Sequence, residues 1–256
     1  MSTAGITPGD PGLVIIGAHG RMGRRLVALA PEVGLSVAAE VDAHGPALDA
    51  ALAKVARCVI DFSAPAQAQA TIAFCIAHEV PLVLGTTGLA ADDEAALASA
   101  ARHIPLVFAA NFSLGVHVLM TLVSEAARLL DSGWDVELVE AHHRRKVDAP
   151  SGTALALAQR IAAARHVGLG EVVVHGREGQ VGARPKGELG MHAVRGGSVV
   201  GEHQVRFLGD GEEVVLEHRA LDRDIFVRGA LRSASWLLGG DRPPGRYGLA
   251  DVLGRD

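Results

Sequence analysis

Leu13-Val-Ile-Ile16 runs straight into Gly17-Ala-His-Gly20-Arg-Met-Gly23, and a helical stretch with Met22, Leu26 and Leu29 on one face follows. An apolar strand that ends in spaced glycines and hands over to a helix has few ways to fold. The strand must be buried, the turn must be tight, and the helix must fold back onto the sheet. The alternation then repeats. Leu35–Val41, Cys58–Phe62, Pro81–Leu84 and Pro105–Ala109 read as four further strands, and Gln67–His78 and Ala91–Arg102 as helices between them. Near-continuous apolar strands separated by helices predict a parallel sheet covered on both faces.

After Asn111 the rhythm changes. Leu114–Leu130 reads as one long helix, Val136–Ala141 as a strand and Thr153–Ala164 as a helix. From Val172 to Val227 short strands alternate with glycines: Val172–His175, Met191–Val194, Ser198–Val200, His203–Phe207 and Glu213–His218. Such a run predicts a mostly antiparallel, open sheet, with the Gly-, Arg- and Lys-rich stretch Gly176–Glu188 as a mobile loop. A last helix near Gly229–Leu238 is expected to return to the first domain. The expected fold class is α/β: a Rossmann-like, doubly wound parallel sheet domain (1–113 and 223–256) plus a smaller α+β substrate and oligomerisation domain (114–222) with an open mixed sheet.

The first glycine turn points to a dinucleotide. Glycines allow close backbone approach to a pyrophosphate, and the helix N-terminus faces its charge. Asp42 lies 19 positions past Gly23, at the end of the second strand, where an acid would hold the ribose hydroxyls. The spacing is G-x-x-G-x-x-G, so His19 stands where a second close-approach glycine is usual. Ala43 provides no arginine beside Asp42 to clamp a 2′-phosphate, which leaves Arg21 for that role.

Most of the chemistry is concentrated in Glu140-Ala-His-His-Arg-Arg-Lys-Val-Asp-Ala-Pro-Ser-Gly-Thr153. Imidazole titrates near neutral pH, Lys146 is a compact cation, and Ser151 is placed to cap a helix whose first N–H groups would hold an anion. In an extended segment His142 and His143 face opposite ways, so they cannot share one job. Together these groups suit a small, multiply negative substrate that is protonated during reaction. A zinc site on Glu140, His142 and His143 matches no helical His-x-x-x-His or Cys-containing spacing, and no metal is expected. Ser151 lacks the Gly-x-Ser-x-Gly elbow of a nucleophile.

Composition closes off other classes. A net charge of −5 argues against nucleic acid or anionic membrane as a partner. Cys58 and Cys75 show no disulfide framework and no metal spacing. Residues 1–12 carry no signal-peptide pattern, and no apolar run reaches the ~20 residues a bilayer needs. A cytoplasmic protein is expected.

Six segments together resemble the 4-hydroxy-tetrahydrodipicolinate reductase (dihydrodipicolinate reductase) family. They are Gly17–Gly23, Ile60-Asp-Phe-Ser-Ala-Pro65, Gly85-Thr-Thr-Gly88, Ala109-Ala-Asn-Phe-Ser113, Glu140–Thr153 and Val200-Gly-Glu-His203. The resemblance covers nearly the whole chain, and the fifth segment is close to diagnostic. It implies NAD(P)H-dependent reduction of a cyclic dicarboxylate in lysine and diaminopimelate biosynthesis, in a homotetramer assembled through the C-terminal sheet. It further implies His142 as proton donor and acceptor, with Lys146 beside a substrate carboxylate. His143, Gly152 and Thr153 become substrate contacts. Gly17, Ala18, His19, Gly20, Arg21, Met22 and Asp42 become cofactor contacts, with Gly85, Thr86, Thr87, Ala109, Ala110, Asn111 and Phe112 on the nicotinamide side. NADH is expected to serve at least as well as NADPH. Domain closure about 111–113 and 221–224 is a further expectation.

Two rival classes compete. Another two-domain NAD(P)-dependent dehydrogenase explains the nucleotide turn but not His-His-x-x-Lys followed by Ser-Gly-Thr. A non-catalytic nucleotide-sensing regulator would tolerate loss of His142 or Lys146, and both are present.

Overall fold

The computed structural model describes residues 12–42 and 48–254. Along the chain, β1 (Gly12–Ile16), α1 (Arg21–Leu29), β2 (Val37–Val41), α2 (Ala50–Ala53), β3 (Ala56–Asp61), α3 (Pro65–His78), β4 (Leu82–Leu84), α4 (Ala91–Ala100) and β5 (Pro105–Phe108) come first. There follow α5 (Leu114–Leu129), β6 (Asp135–His142), α6 (Gly152–Ala164), α7 (Leu169–Val172), β7 (Val173–His175), β8 (Leu189–Arg195), β9 (Gly201–Gly209) and β10 (Glu212–Ala220). The chain ends with α8 (Asp224–Leu238), β11 (Gly245–Tyr247) and α9 (Leu249–Val252). The described residues form two compact units: those up to Ser113 with those from Asp224 onwards, and Leu114–Arg223.

The first unit is built on a six-stranded sheet ordered β11-β5-β4-β3-β1-β2, with every pairing parallel. Residues 13–16, 58–60 and 82–84 are almost wholly buried, as strands covered on both faces require. Strand order reverses at β1, which has β2 on one side and β3 on the other. In open α/β sheets the carboxyl ends beside such a reversal form the ligand crevice. The C-terminal helix begins at Asp224, five residues before the Gly229 expected from sequence. Its Gly229 is needed for contact, since a Cβ there would lie 1.8 Å from the Phe112 carbonyl oxygen.

The second unit packs α5 and α6 on one face of a five-stranded sheet ordered β10-β9-β6-β8-β7. Leu119, Val123, Leu157 and Ile161 cover Val136, Leu138, Met191, Val205 and Phe207. This sheet is mixed rather than mostly antiparallel: β9 pairs antiparallel with β6 and β10, while β8 pairs parallel with β6 and β7. Ser198–Val200 is not a strand. It lies in the connection from β8 to β9, which do not pair, and that connection crosses the end of β6, where Gly196 N–H donates to the His142 carbonyl (3.0 Å). Residues 176–188 form an irregular loop. Its Arg177 and Arg184 bind Glu137, which burial pushes up but their hydrogen bonds and that of His192 hold down at about 2.

Candidate active site

The glycine turn between β1 and α1 is tied to the second strand. Gly17 takes φ +78°, a left-handed conformation that favours glycine, and its N–H donates to the Val41 carbonyl (2.8 Å). Gly23 lets α1 rest on the turn, because a Cβ there would sit 2.1 Å from the Gly17 carbonyl oxygen. Asp42 Oδ2 accepts the His19 N–H at 2.8 Å, so the acid at the β2 terminus and the turn form one cradle. The His19 ring lies 3.8 Å from Asp42 and 3.9 Å from Glu40. Ala18 is buried, while Gly20 and Arg21 are exposed at the helix start. Ala43 lies outside the described residues.

Other strand ends of this unit converge on a second feature. Met22, Phe62, Ala110, Asn111, Phe112 and Phe226 line a mostly apolar cavity of about 250 Å³. The rings of Phe62 and Phe112 stack obliquely at 5.4 Å, and Gly85 packs so closely on Phe62 that a Cβ would meet the ring at 2.3 Å. Thr86 is buried and donates to Asp61 Oδ1 (3.1 Å), which also takes the Ser63 N–H and hydroxyl. Thr87 and Ala110 are exposed, and Ala109 is half-buried. Phe62, Phe226 and Asp61 were absent from the expected contacts. An acid closing an apolar strand was the available signal for Asp61, whereas nothing local marks Phe226.

In the second unit, β6 alternates faces so that Val136, Leu138, Glu140 and His142 lie on the covered side. Glu140 is fully buried. Its Oε2 meets His142 Nδ1 at 2.6 Å, and Oε1 accepts the Ser151 N–H at 3.0 Å. The Arg195 fork binds both oxygens at 2.8 and 2.7 Å. Burial pushes the Glu140 carboxyl up, but Arg195, His142 and the Ser151 amide more than offset this, holding it below the usual carboxylate range. Charge-assisted pairing is what makes such a buried carboxylate tolerable.

Ser151 is the N-cap of α6, its Oγ accepting from Ala154 N–H (3.1 Å) and contacting His203 Nε2 (3.1 Å). The His142 and His203 rings meet edge to face at 5.2 Å. Gly152 and Thr153 open the helix. Lys146 Nζ pairs with Asp148 at 2.9 Å and is about one-fifth exposed. His143, half-buried in the turn after β6, is held below the ordinary histidine value by partial burial and by the charges of Arg223 and Arg145. Thus His142, Lys146, Ser151 and the start of α6 gather around one strand end. Arg195, His203 and Arg223 join them from distant sequence, with no local signal for the two arginines. Among the described residues, no cluster of three or more metal-ligating side chains is placed to hold a metal ion.

The buried His203 imidazole carries a stability consequence. Burial, helped by the His142 charge, pushes it down to about 4 from 6.5. A histidine that binds its proton better unfolded stabilises the fold fully above 6.5 and progressively less as pH falls towards 4. Through His203 alone, denaturant unfolding at pH 5.0 should therefore give a stability about 2 kcal/mol below that at pH 7.5. His203→Gln should lose most of that difference; an equal acid loss in the variant would remove His203 as its source.

Comparison with known proteins gives the family. The family description "Dihydrodipicolinate reductase, N-terminus" matches residues 12–112, and "Dihydrodipicolinate reductase, C-terminus" matches 115–253. The chain is 45% identical to the 4-hydroxy-tetrahydrodipicolinate reductase of Parvibaculum lavamentivorans, over 96% of this chain and 98% of that one. It is 44% identical to that of Ruegeria pomeroyi, over 95% and 98%. Among solved structures, a dipicolinate-bound dihydrodipicolinate reductase from Paenisporosarcina sp. TG-14 superposes with a TM-score of 0.75 at 24% identity, covering 93% of this chain and 97% of that one. A Thermus thermophilus WlbA dehydrogenase solved with NAD and UDP-GlcNAcA gives 0.52 at 16%, covering 92% and 96%. At those identities the two structures speak for the fold alone. Matched by family description across both units, and by relatives above 40% identity over nearly its full length, the chain belongs to the 4-hydroxy-tetrahydrodipicolinate (dihydrodipicolinate) reductases, NAD(P)H-dependent oxidoreductases of lysine and diaminopimelate biosynthesis.

Proposed function

We propose that His142 is the proton donor in reduction of 4-hydroxy-tetrahydrodipicolinate, and that Lys146, His143 and the first turn of α6 at Gly152 and Thr153 bind the substrate carboxylates. The observation that carries this reading is the 2.6 Å contact from His142 Nδ1 to buried Glu140, beside the Ser151-capped helix start. An imidazole so oriented keeps its second nitrogen available for a proton. The Lys146 cation and the helix N–H groups supply positive potential for a dicarboxylate. The matched reductase was solved with dipicolinate, and a cyclic dicarboxylate of that kind suits this charge pattern.

The reaction takes a hydride and a proton to the substrate and releases water. A bound nicotinamide supplies the hydride. The residues of this chain do the rest: Lys146 and the α6 amides fix the ring by its carboxylates, and His142 delivers a proton to the charge that develops, worth about 10²–10⁴-fold. The first unit fits a dinucleotide on its own geometry, since the turn at Gly17 and the tight seat of Gly23 leave backbone N–H groups at the start of α1. Gly17–Met22 and Asp42 would hold the adenosine side. Gly85–Thr87 and Ala109–Phe112 would hold the nicotinamide side. The reading also carries the homotetramer, assembled through the second unit's sheet, and a cytoplasmic location. Following NADH oxidation with substrate made in situ from pyruvate and aspartate semialdehyde tests the activity; no oxidation above the substrate-free rate would overturn it.

Cofactor choice follows from the acids around the turn. Asp42 and Glu40 both face His19, and a 2′-phosphate of roughly −1.5 to −2 charge would be placed against them. Exposed Arg21, at the first position of α1, is a cation placed to offset that repulsion. NADH should therefore be used at least as well as NADPH, and NADPH activity should decline as salt screens the arginine. A tenfold or greater preference for NADPH in parallel titrations would refute this account of Asp42.

A further inference from the structure

Glu140 spends a buried negative charge on an arrangement that a merely structural residue would not need. It is fully buried, and every direction around its carboxylate is taken. Arg195 Nη1 and Nη2 bind both oxygens, the Ser151 N–H takes Oε1, and His142 Nδ1 takes Oε2. Arg195 is itself anchored, donating from Nη2 to the Asp148 carbonyl and from Nη1 to the Val194 carbonyl, both at 2.7 Å. With guanidinium and amide donors already on it, the carboxylate stays ionised and can only accept from His142. The Nδ1 atom of His142 must therefore carry a hydrogen. The neutral ring then has a bare Nε2, and the proton gained or lost in turnover sits on Nε2.

Nε2 in turn lies against a glycine. It faces Gly201 at the start of β9, where a Cβ would come within 3.0 Å of it. Beside the ring stand Glu140 on β6, Arg195 on β8, His203 on β9 and His143 in the turn after β6, and the charge of Lys146 from the same turn bears on His203. Among the described residues Glu140 is the anion in contact with the ring, Arg195 is the cation bound to that carboxylate, and Lys146 is paired with Asp148.

We propose that Glu140, held by Arg195, is a positioning residue that fixes the tautomer of His142 and makes Nε2 the proton-delivering atom. The inference rests on His142 being the proton donor. When Nε2 gives up its proton, the imidazolium becomes a neutral ring that still donates from Nδ1, and Glu140 remains an anion throughout. Glu140→Gln reverses the local logic. Arg195 and the Ser151 N–H claim the amide oxygen, so the amide NH₂ is turned to Nδ1, which must then accept. Protonation of the ring is disfavoured, and the neutral ring is driven to carry its hydrogen on Nε2.

The test is ¹⁵N-histidine NMR of the full-length protein, with the His142 signals assigned by their loss in His142→Gln. In the wild type at pH above the ring's titration, Nδ1 should be the protonated nitrogen. In Glu140→Gln the titration midpoint should fall by at least one pH unit, a tenfold loss of proton affinity. Turnover should fall about 10²–10⁴-fold with KM changed less than threefold, and the alkaline limb of the kcat profile, where a proton donor is lost, should move to lower pH with the midpoint. In a His142→Gln background, Glu140→Gln should change kcat less than twofold, since the two act as one unit. A wild-type ring protonated on Nε2, an unmoved midpoint, or additive losses would each overturn the proposal. Should Glu140→Gln fail to fold, the wild-type tautomer decides alone. An enzyme that shows the Nδ1–H tautomer yet does not reduce the cyclic imine would refute the proposed function while leaving this role of Glu140 intact.

Discussion

His142→Gln should lower kcat by about two to four orders of magnitude while leaving NADH affinity within about twofold. The substitution is chosen because its amide can still donate to Glu140 where Nδ1 does now, at 2.6 Å, so the buried carboxylate keeps a partner and the fold is spared. What disappears is a group able to hold and release a proton near neutral pH. The nucleotide turn belongs to the other compact unit and shares no residue with this cluster, so cofactor binding has no direct reason to change. Fluorescence titration with NADH and steady-state kinetics read the two quantities separately. Turnover near that of the wild type would remove His142 as proton donor.

The alternation of apolar runs and helical stretches made the first unit legible, because a strand buried on both faces has no polar side to confuse the reading. Its sixth strand was not legible: Gly245-Arg-Tyr247 is three residues long and is a strand only because it pairs with Pro105–Val107. The second unit shows the opposite weakness. Alternating residues mark β8, β9 and β10 as strands, but whether neighbours run parallel is settled by connections. Here β8 lies beside β6 and the chain then crosses to β9 on the far side. Ser198-Val-Val200 has strand composition and spends it on that crossing, where the partner it would need is absent. The site divides in the same way. His142, Lys146 and Ser151 share one short segment and could be read together. Arg195, on which the charge of Glu140 depends, is 55 residues further along the chain, and only the sheet brings them together.

Lys146→Ala should raise substrate KM by roughly 10- to 150-fold, the equivalent of about 1.5–3 kcal/mol for a charge-assisted contact removed from a partly desolvated site. The lysine is only about one-fifth exposed and lies near enough to His203 for its charge to bear on that ring, which keeps the cation beside the strand end rather than out in solvent. At rest its ammonium is paired with Asp148, and the Lys146 hydrogen bond holds the Asp148 carboxyl below its ordinary value. An incoming carboxylate must therefore share or displace that partner. Asp148 is half-exposed, so water can take over its solvation cheaply, and Asp148→Asn should leave KM unchanged or lower it. Lys146→Arg should restore part of the affinity only, because a planar fork cannot occupy the position of a compact ammonium. Kinetics on the three variants separate a carboxylate-binding cation from a structural ion pair. If the Asp148–Lys146 pair were merely structural, both single removals would disturb the enzyme alike. An unchanged KM in Lys146→Ala would take the lysine out of the site altogether.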